Sequence, residues 1–209
     1  MNDAAALLMK RITPIHSFGF TQPIMRSLFL FVFVLVFGLA GCSPTYDWRE
    51  VRDAEVGWSI LFPGKPMVVT RTVALQPSPE LTPGRATTEI SLTMHASRIK
   101  DVSFALGLVK LEGKTPAERE AVRRALEASR VKNIRGRIDS IDPKALGSPL
   151  SARGTLQLKA NGDPVPARLL MRSVVRNGWV IEAIVVGPSH GFPQDEAQQF
   201  LDSLRVGTP

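Results

Sequence analysis

Few residues in this chain have the types and spacing that chemistry needs. Beyond the first 42 residues there are two histidines, His95 and His190. A catalytic triad requires a nucleophile, a base and an orienting acid in mutual contact. Ser189 beside His190 does not supply that, because sequence neighbours rarely face each other. No Gly-x-Ser-x-Gly elbow occurs. Neither histidine stands in a cluster of carboxylates, which makes a poor start for a metal site. Gly113-Lys114-Thr115 would end a phosphate loop, but the pattern needs a glycine five places before Gly113, and position 108 is Leu. Gly107 is one place too far, so these residues read as a turn and a helix cap. The single cysteine, Cys42, excludes an internal disulfide and any zinc site built on several cysteines. No catalytic, metal-binding or cofactor-binding residue is therefore expected, and no cofactor.

What remains is charge. The 209 residues carry 26 basic and 19 acidic side chains, a formal +7. Arg119, Arg123, Arg124, Arg130, Lys132, Arg135 and Arg137 fall in one stretch against Glu120 and Glu127. The plain reading is a solvated helix face. The sharper one makes Arg119, Arg123, Arg124, Arg130 and Lys132 a contact for anionic lipid, lipopolysaccharide or peptidoglycan polymer. Arg168, Arg172 and Arg176 would form a second basic surface if exposed.

The start of the chain has a separate logic. Leu28 to Ala40 is an uncharged run of thirteen residues, LFLFVFVLVFGLA. As a helix it reaches roughly 20 Å, short of a ~30 Å hydrocarbon core. It fits the h-region of a signal peptide, with Met25 and Arg26 as a short n-region. Leu39-Ala40-Gly41-Cys42 follows at its end and resembles the bacterial lipobox. That resemblance implies diacylglyceryl transfer to the Cys42 thiol, cleavage before Cys42 and acylation of the new amine. Ser43, in place of the Asp that resembles an inner-membrane retention signal, favours the outer membrane. Residues 1–24 show no periodic element, and translation from Met25 is the simpler expectation. Loss of residues 1–42 removes Lys10, Arg11, Arg26 and Asp3, leaving 23 basic and 18 acidic residues, or +5.

The expected organisation is an extension and signal peptide over 1–41, a lipidated tether over 42–47, and one α+β domain over 48–206. In that domain Trp58–Phe62 reads as a strand ending in the Pro63-Gly64-Lys65-Pro66 turn, with Met67–Val73 after it and a proline-rich loop over 76–86. Ile90, Leu92, Met94 and Ala96 alternate with Glu89, Ser91, Thr93, His95 and Ser97, period two, one buried face. Val102, Phe104, Leu106 and Leu108 repeat it. Thr115-Pro116-Ala117-Glu118 predicts a capping box with Pro at the first helical position. Val122, Ala125 and Leu126 make its apolar stripe, opposite Arg119, Arg123, Arg124 and Arg130. Asn161-Gly162 and Asn177-Gly178 predict two-residue hairpin loops joining strands 152–160, 165–176 and 179–186. These loops pair 158 with 165 and 176 with 179. One face then gathers Leu156, Leu158, Val165, Ala167, Leu169, Met171, Val175, Val180, Ile184 and Val186. The other gathers Lys159, Arg168, Arg172 and Arg176 beside Leu170, Val174, Trp179 and Ile181, half covered, with Arg176 over Trp179. A last helix after Pro193 turns Ala197, Phe200, Leu201 and Leu204 inward.

The sum is about 7–9 mostly antiparallel strands with two helices. Phe62-Pro63-Gly64-Lys65-Pro66 and Phe200-Leu201-Asp202-Ser203-Leu204, at the two ends of this pattern, resemble the PsbP-like α/β/α sandwich. The resemblance implies a binding or assembly scaffold and no shared activity. The expected protein is thus lipid-anchored in the cell envelope and non-catalytic, facing the periplasm. Its partners are the membrane through Cys42, an anionic lipid or envelope polymer, and an unidentified protein. Nucleic acid is not expected of an exported chain. A small periplasmic hydrolase and a structural accessory subunit of an envelope complex are the alternatives.

Overall fold

The computed structural model describes residues 44–75, 88–141, 147 and 149–207. The Leu28–Ala40 run, Cys42, Ser43 and the 76–86 loop lie outside them. The described strands are β1 (Arg49–Asp53), β2 (Trp58–Phe62), β3 (Met67–Leu75), β4 (Thr88–Ile99), β5 (Val102–Lys110), β6 (Arg137–Ile141), β7 (Leu150–Leu156), β8 (Val165–Arg176), β9 (Trp179–Pro188) and β10 (Arg205–Val206). The described helices are α1 (Pro116–Asn133) and α2 (Gln194–Asp202).

Seven strands form one antiparallel sheet in the order β3-β4-β5-β9-β8-β7-β6. Three more form a small sheet, β1-β2-β10. The fold is α+β, as the sequence predicts; the additional strands are β1, β6 and the two-residue β10, all short and mostly exposed. Exposure on both sides erases the alternation by which sequence reveals a strand.

Asn177-Gly178 makes the expected tight turn. Both residues have positive φ, 48° and 79°, and the flanking strands pair Arg176 with Trp179 and Arg172 with Ala183. Asn161-Gly162 does not. Neither residue has positive φ, and the strands pair Leu156 with Val165 instead of 158 with 165. Gly162 N–H closes a local turn onto the Lys159 carbonyl at 3.1 Å. The Gln157 amide donates to the carbonyls of Ala160 and Gly162 at 3.2 and 2.8 Å. Pro164 and Pro166 have no N–H for the ladder, so β7 ends early. The slip is two residues, and a slip of two leaves every side chain on its face.

The large sheet is covered on both sides. On one side α1 lays Leu126 and Val131, with Ile134 just beyond, over Leu92, Ala105, Val109, Leu169, Met171, Val180 and Ile184. On the other, the small sheet and α2 bury Trp58, Ile60, Phe62, Phe200 and Leu204 against Phe104, Leu106, Leu170, Ile181 and Val185. The second face is therefore a core and not the half-covered surface expected. Trp179 packs at its margin, with the Lys110 ammonium 5.8 Å from the ring centroid. Lys110 is its cross-strand partner on β5, as Arg176 is on β8, and it is the Lys110 ammonium that lies over the ring in the place expected for Arg176.

Candidate functional site

The expected cap at Thr115 is present and reciprocal. Glu118 N–H donates to Thr115 Oγ1 at 3.2 Å, and Thr115 N–H donates to Glu118 Oε2 at 2.9 Å. Gly113 turns the chain with φ +69°. Gly113-Lys114-Thr115 thus forms the turn and cap that lead into α1.

The basic stretch divides in two. Arg123 and Arg130 point inward, contrary to their expected place opposite the apolar stripe. Arg123 is 8% exposed. The inner stripe is Arg123, Leu126, Glu127, Arg130 and Val131, the i, i+3, i+4, i+7 pattern of a buried helix face. Arg123 pairs with Glu127 through Nη1 and with Glu120 through Nε at 2.9 Å. Its Nη1 also donates to Ser173 Oγ on β8 at 2.9 Å. Arg130 Nη2 meets Glu182 Oε2 on β9 at 3.0 Å. Ser173 and Gly107 flank Glu182 on the two adjacent strands. A Cβ at Gly107 would stand 3.3 Å from that Oε2 and 3.1 Å from Met94 Sδ. The missing side chain makes the space Glu182 occupies.

Glu182 is wholly buried, and its Oε1 has no hydrogen-bond partner among the described residues. Burial pushes its carboxyl above the ordinary carboxylate range, while Arg130 opposes that shift. The hydrogen bond from Arg123 holds Glu120 below that range. In this cluster the Arg123 and Arg130 guanidinia and the Glu127 and Glu182 carboxylates lie between α1 and the sheet and tie helix to sheet. One sequence signal announces it: Glu182 interrupts the apolar run Val180–Val186 and calls for a buried cation.

Arg124, Lys132 and Arg135 face solvent, and Arg119 is partly exposed. Lys132 and Arg135 border an open groove of about 760 Å³ whose floor is Ala128, Val131, Gly136 and Ile138. Its shape follows from how α1 ends. Gly136 N–H bonds the Val131 carbonyl at 2.9 Å and Arg135 N–H the Lys132 carbonyl at 2.8 Å, the paired bonds of a Schellman cap. Arg135 occupies the left-handed position with φ 47°, where glycine is the unstrained choice. The chain then crosses β7 so closely that a Cβ on Gly154 would lie 2.2 Å from the Ile134 carbonyl.

A second cleft, about 500 Å³, lies between β8 and α2, with Arg168, Leu170 and Arg172 along one wall and Gln194, Gln198 and Leu201 along the other. Arg168 lies over the Phe192 ring, 5.3 Å from its centroid. Arg172 donates to the Leu201 carbonyl at 3.3 Å. Arg176 is exposed beside the hairpin turn. These three arginines therefore do not make one surface.

The histidines stay apart from any such site. His95 meets Trp58 edge to face at 5.2 Å, and its Nδ1 is buried without a partner among the described residues. Burial lowers its pKa, and the charge of Asp53 opposes that. His190 is exposed in the turn before α2. Among the described residues no three His, Cys, Asp or Glu side chains converge as a metal site.

No family model matches the chain, and no curated protein does. Among solved structures it is similar to the solution structure of cyanobacterial PsbP (CyanoP) from Synechocystis. The TM-score is 0.45 and the identity 12%, over 80% of this chain and 96% of that one.

Proposed function

We propose that this chain is a lipid-anchored cell-envelope protein whose domain binds an anionic surface without catalysis. Acyl chains on Cys42 would hold it at the periplasmic side of the outer membrane. The apolar run ending in Leu39-Ala40-Gly41-Cys42 supports the anchor. The observation that carries the binding role is the groove at the end of α1. Its apolar floor suits the glycerol or acyl part of an anionic lipid, and Lys132 and Arg135 suit the phosphate beside it. Arg124 extends the same charge along the helix. Each such cation near an anionic leaflet contributes about 1 kcal/mol. Arg135 keeps its guanidinium at this rim from a backbone position that disfavours it, and such outliers concentrate at binding sites. Arg123 and Arg130 take no part, because the buried cluster holds them.

The test has two arms. Metabolic labelling with an alkyne fatty acid should tag the native chain and spare Cys42→Ser. Full-length protein reconstituted into vesicles then reports the groove through amine labelling at Lys132. Labelling should fall in phosphatidylglycerol vesicles relative to phosphatidylcholine vesicles and recover at high salt. Equal labelling in both vesicles would rule the groove out, whatever the first arm shows.

A further inference from the structure

The seven-stranded sheet has two edges, and they are built differently. β6 is five residues long, carries Arg137 and Asp139, and breaks register between Ile138 and Ser140. Asp139 is tied to Arg153 of β7 at 2.6 Å. Shortness, charge and a bulge are the usual protections of an edge strand. β3 has neither the shortness nor the bulge, and only a single charge. It is nine residues long, pairs with β4 without a break from Met67–Ala96 to Leu75–Thr88, and has Arg71 as its one charge. Met67, Val68 and Val69 are 75%, 57% and 44% exposed. Among the described residues no strand pairs with its outer side.

The order of residues on β3 says what fits there. Val69-Thr70-Arg71-Thr72-Val73 reads the same in both directions about Arg71. We propose that β3 pairs antiparallel with β3 of a second copy of this chain, with the two-fold axis normal to the sheet and midway between the two copies of Arg71. That register sets Thr70 opposite Thr72, Val69 opposite Val73 and Val68 opposite Ala74. The first two pairs match like with like and the third joins two apolar side chains, the kind of cross-strand contact that stabilises sheets. It also keeps faces in order. Val69, Arg71 and Val73 lie on the α1 side, across from Met94, Leu92 and Ile90. A rotation about the sheet normal returns them to that same side in the partner. The pairing is isologous and closed. It uses up the unprotected edge of both copies and leaves only the two β6 edges outside.

Two features make the pair weak. Arg71 meets its own copy, and like charges directly opposite destabilise a sheet. One strand pair also buries less than the roughly 1,200 Å² at which standard stable interfaces begin. The dimer is therefore reversible and concentration-dependent.

Sedimentation velocity of the full chain in detergent tests this, with Arg71 as the informative position. The native chain should shift from monomer to dimer as concentration rises. Arg71→Thr should tighten the dimer severalfold by removing the repulsion, and Val69→Lys should abolish it. In a Cys42→Ser background, oxidation should link Arg71→Cys chains to each other and leave Ile138→Cys chains, on the β6 edge, unlinked. The proposal is overturned if the chain stays monomeric throughout, if Val69→Lys leaves the dimer intact, or if a dimer forms that Arg71→Cys does not link. A monomer that instead takes up an unrelated strand-forming peptide overturns it too. Circular dichroism of each variant separates loss of pairing from loss of fold.

Discussion

On one face of the large sheet, Leu126, Val131 and Ile134 share their layer with Glu120, Arg123, Glu127, Arg130 and Glu182. On the other, Phe200 meets Phe62 and Phe104 edge to face at 5.2 and 5.6 Å, and among the described residues the buried polar atoms include Trp58 Nε1, His95 Nδ1 and Ser97 Oγ but no buried ion pair like those on the α1 side. The two faces hold their covering elements by different means. Apolar contact on the small-sheet side is non-directional and tolerates sliding. The ion pairs on the α1 side have one geometry, so they set where the helix sits along the sheet. A buried charge is costly unless paired, and only one placement of α1 pairs Arg130 with Glu182 and Arg123 with Ser173 together.

The largest effects should come from removing one partner on either face. Phe200→Ala should cost about 3–5 kcal/mol in denaturant unfolding, by lost contact and a residual cavity. Arg123→Ala should cost about as much, because the buried Glu127 carboxylate would keep only the Ser173 hydroxyl and lose its paired cation. The faces should part at the next step. Arg130→Met with Glu182→Leu should recover most of what Arg130→Met alone loses, since an apolar pair can replace a buried ion pair. No second change should rescue Phe200→Ala in that way.

Smaller, and opposite in sign, are the pH responses. Glu182 has a raised pKa in the folded chain, so it binds its proton more tightly there than when unfolded. Its contribution is complete below the unfolded value of about 4.3 and is lost as pH rises toward the folded value. His95 has a lowered pKa, so its contribution is complete above about 6.5 and is lost as pH falls toward its folded value. Unfolding free energy measured against pH should lose the first slope in Glu182→Gln and the second in His95→Leu. A variant that removes the slope assigned to the other face would break the distinction. The smallest effect lies at the rim of the α1 groove. Arg135→Gly should raise stability by about 1 kcal/mol by relieving the left-handed residue, and should reduce the salt-sensitive protection of Lys132 on anionic vesicles.

What sequence shows in this chain depends on distance along it. The Thr115 cap closes within three residues and the Asn177-Gly178 turn within two, and both are legible. Asn161-Gly162 carries the same signal but fails, because Pro164 and Gln157 offer that segment a better local arrangement than a ladder. Arg130 and Glu182 are 52 residues apart, and Arg123 and Ser173 are 50 apart. No period relates such partners. Read on α1 alone, both arginines join the exposed charges. The groove at the end of α1 was half legible: Lys132 and Arg135 are in the basic stretch, but its floor needs Ile138 from β6.

The sequence by itself determined the local elements of this domain. Caps, one hairpin, and the alternation that sorts β4, β5, β8 and β9 into two faces are all set by residues a few places apart, where backbone geometry leaves little choice. Tertiary structure decided which charges are inside, what covers the second face and which sheet edge is left open. Those are properties of burial, and burial depends on segments that meet only after the chain has folded.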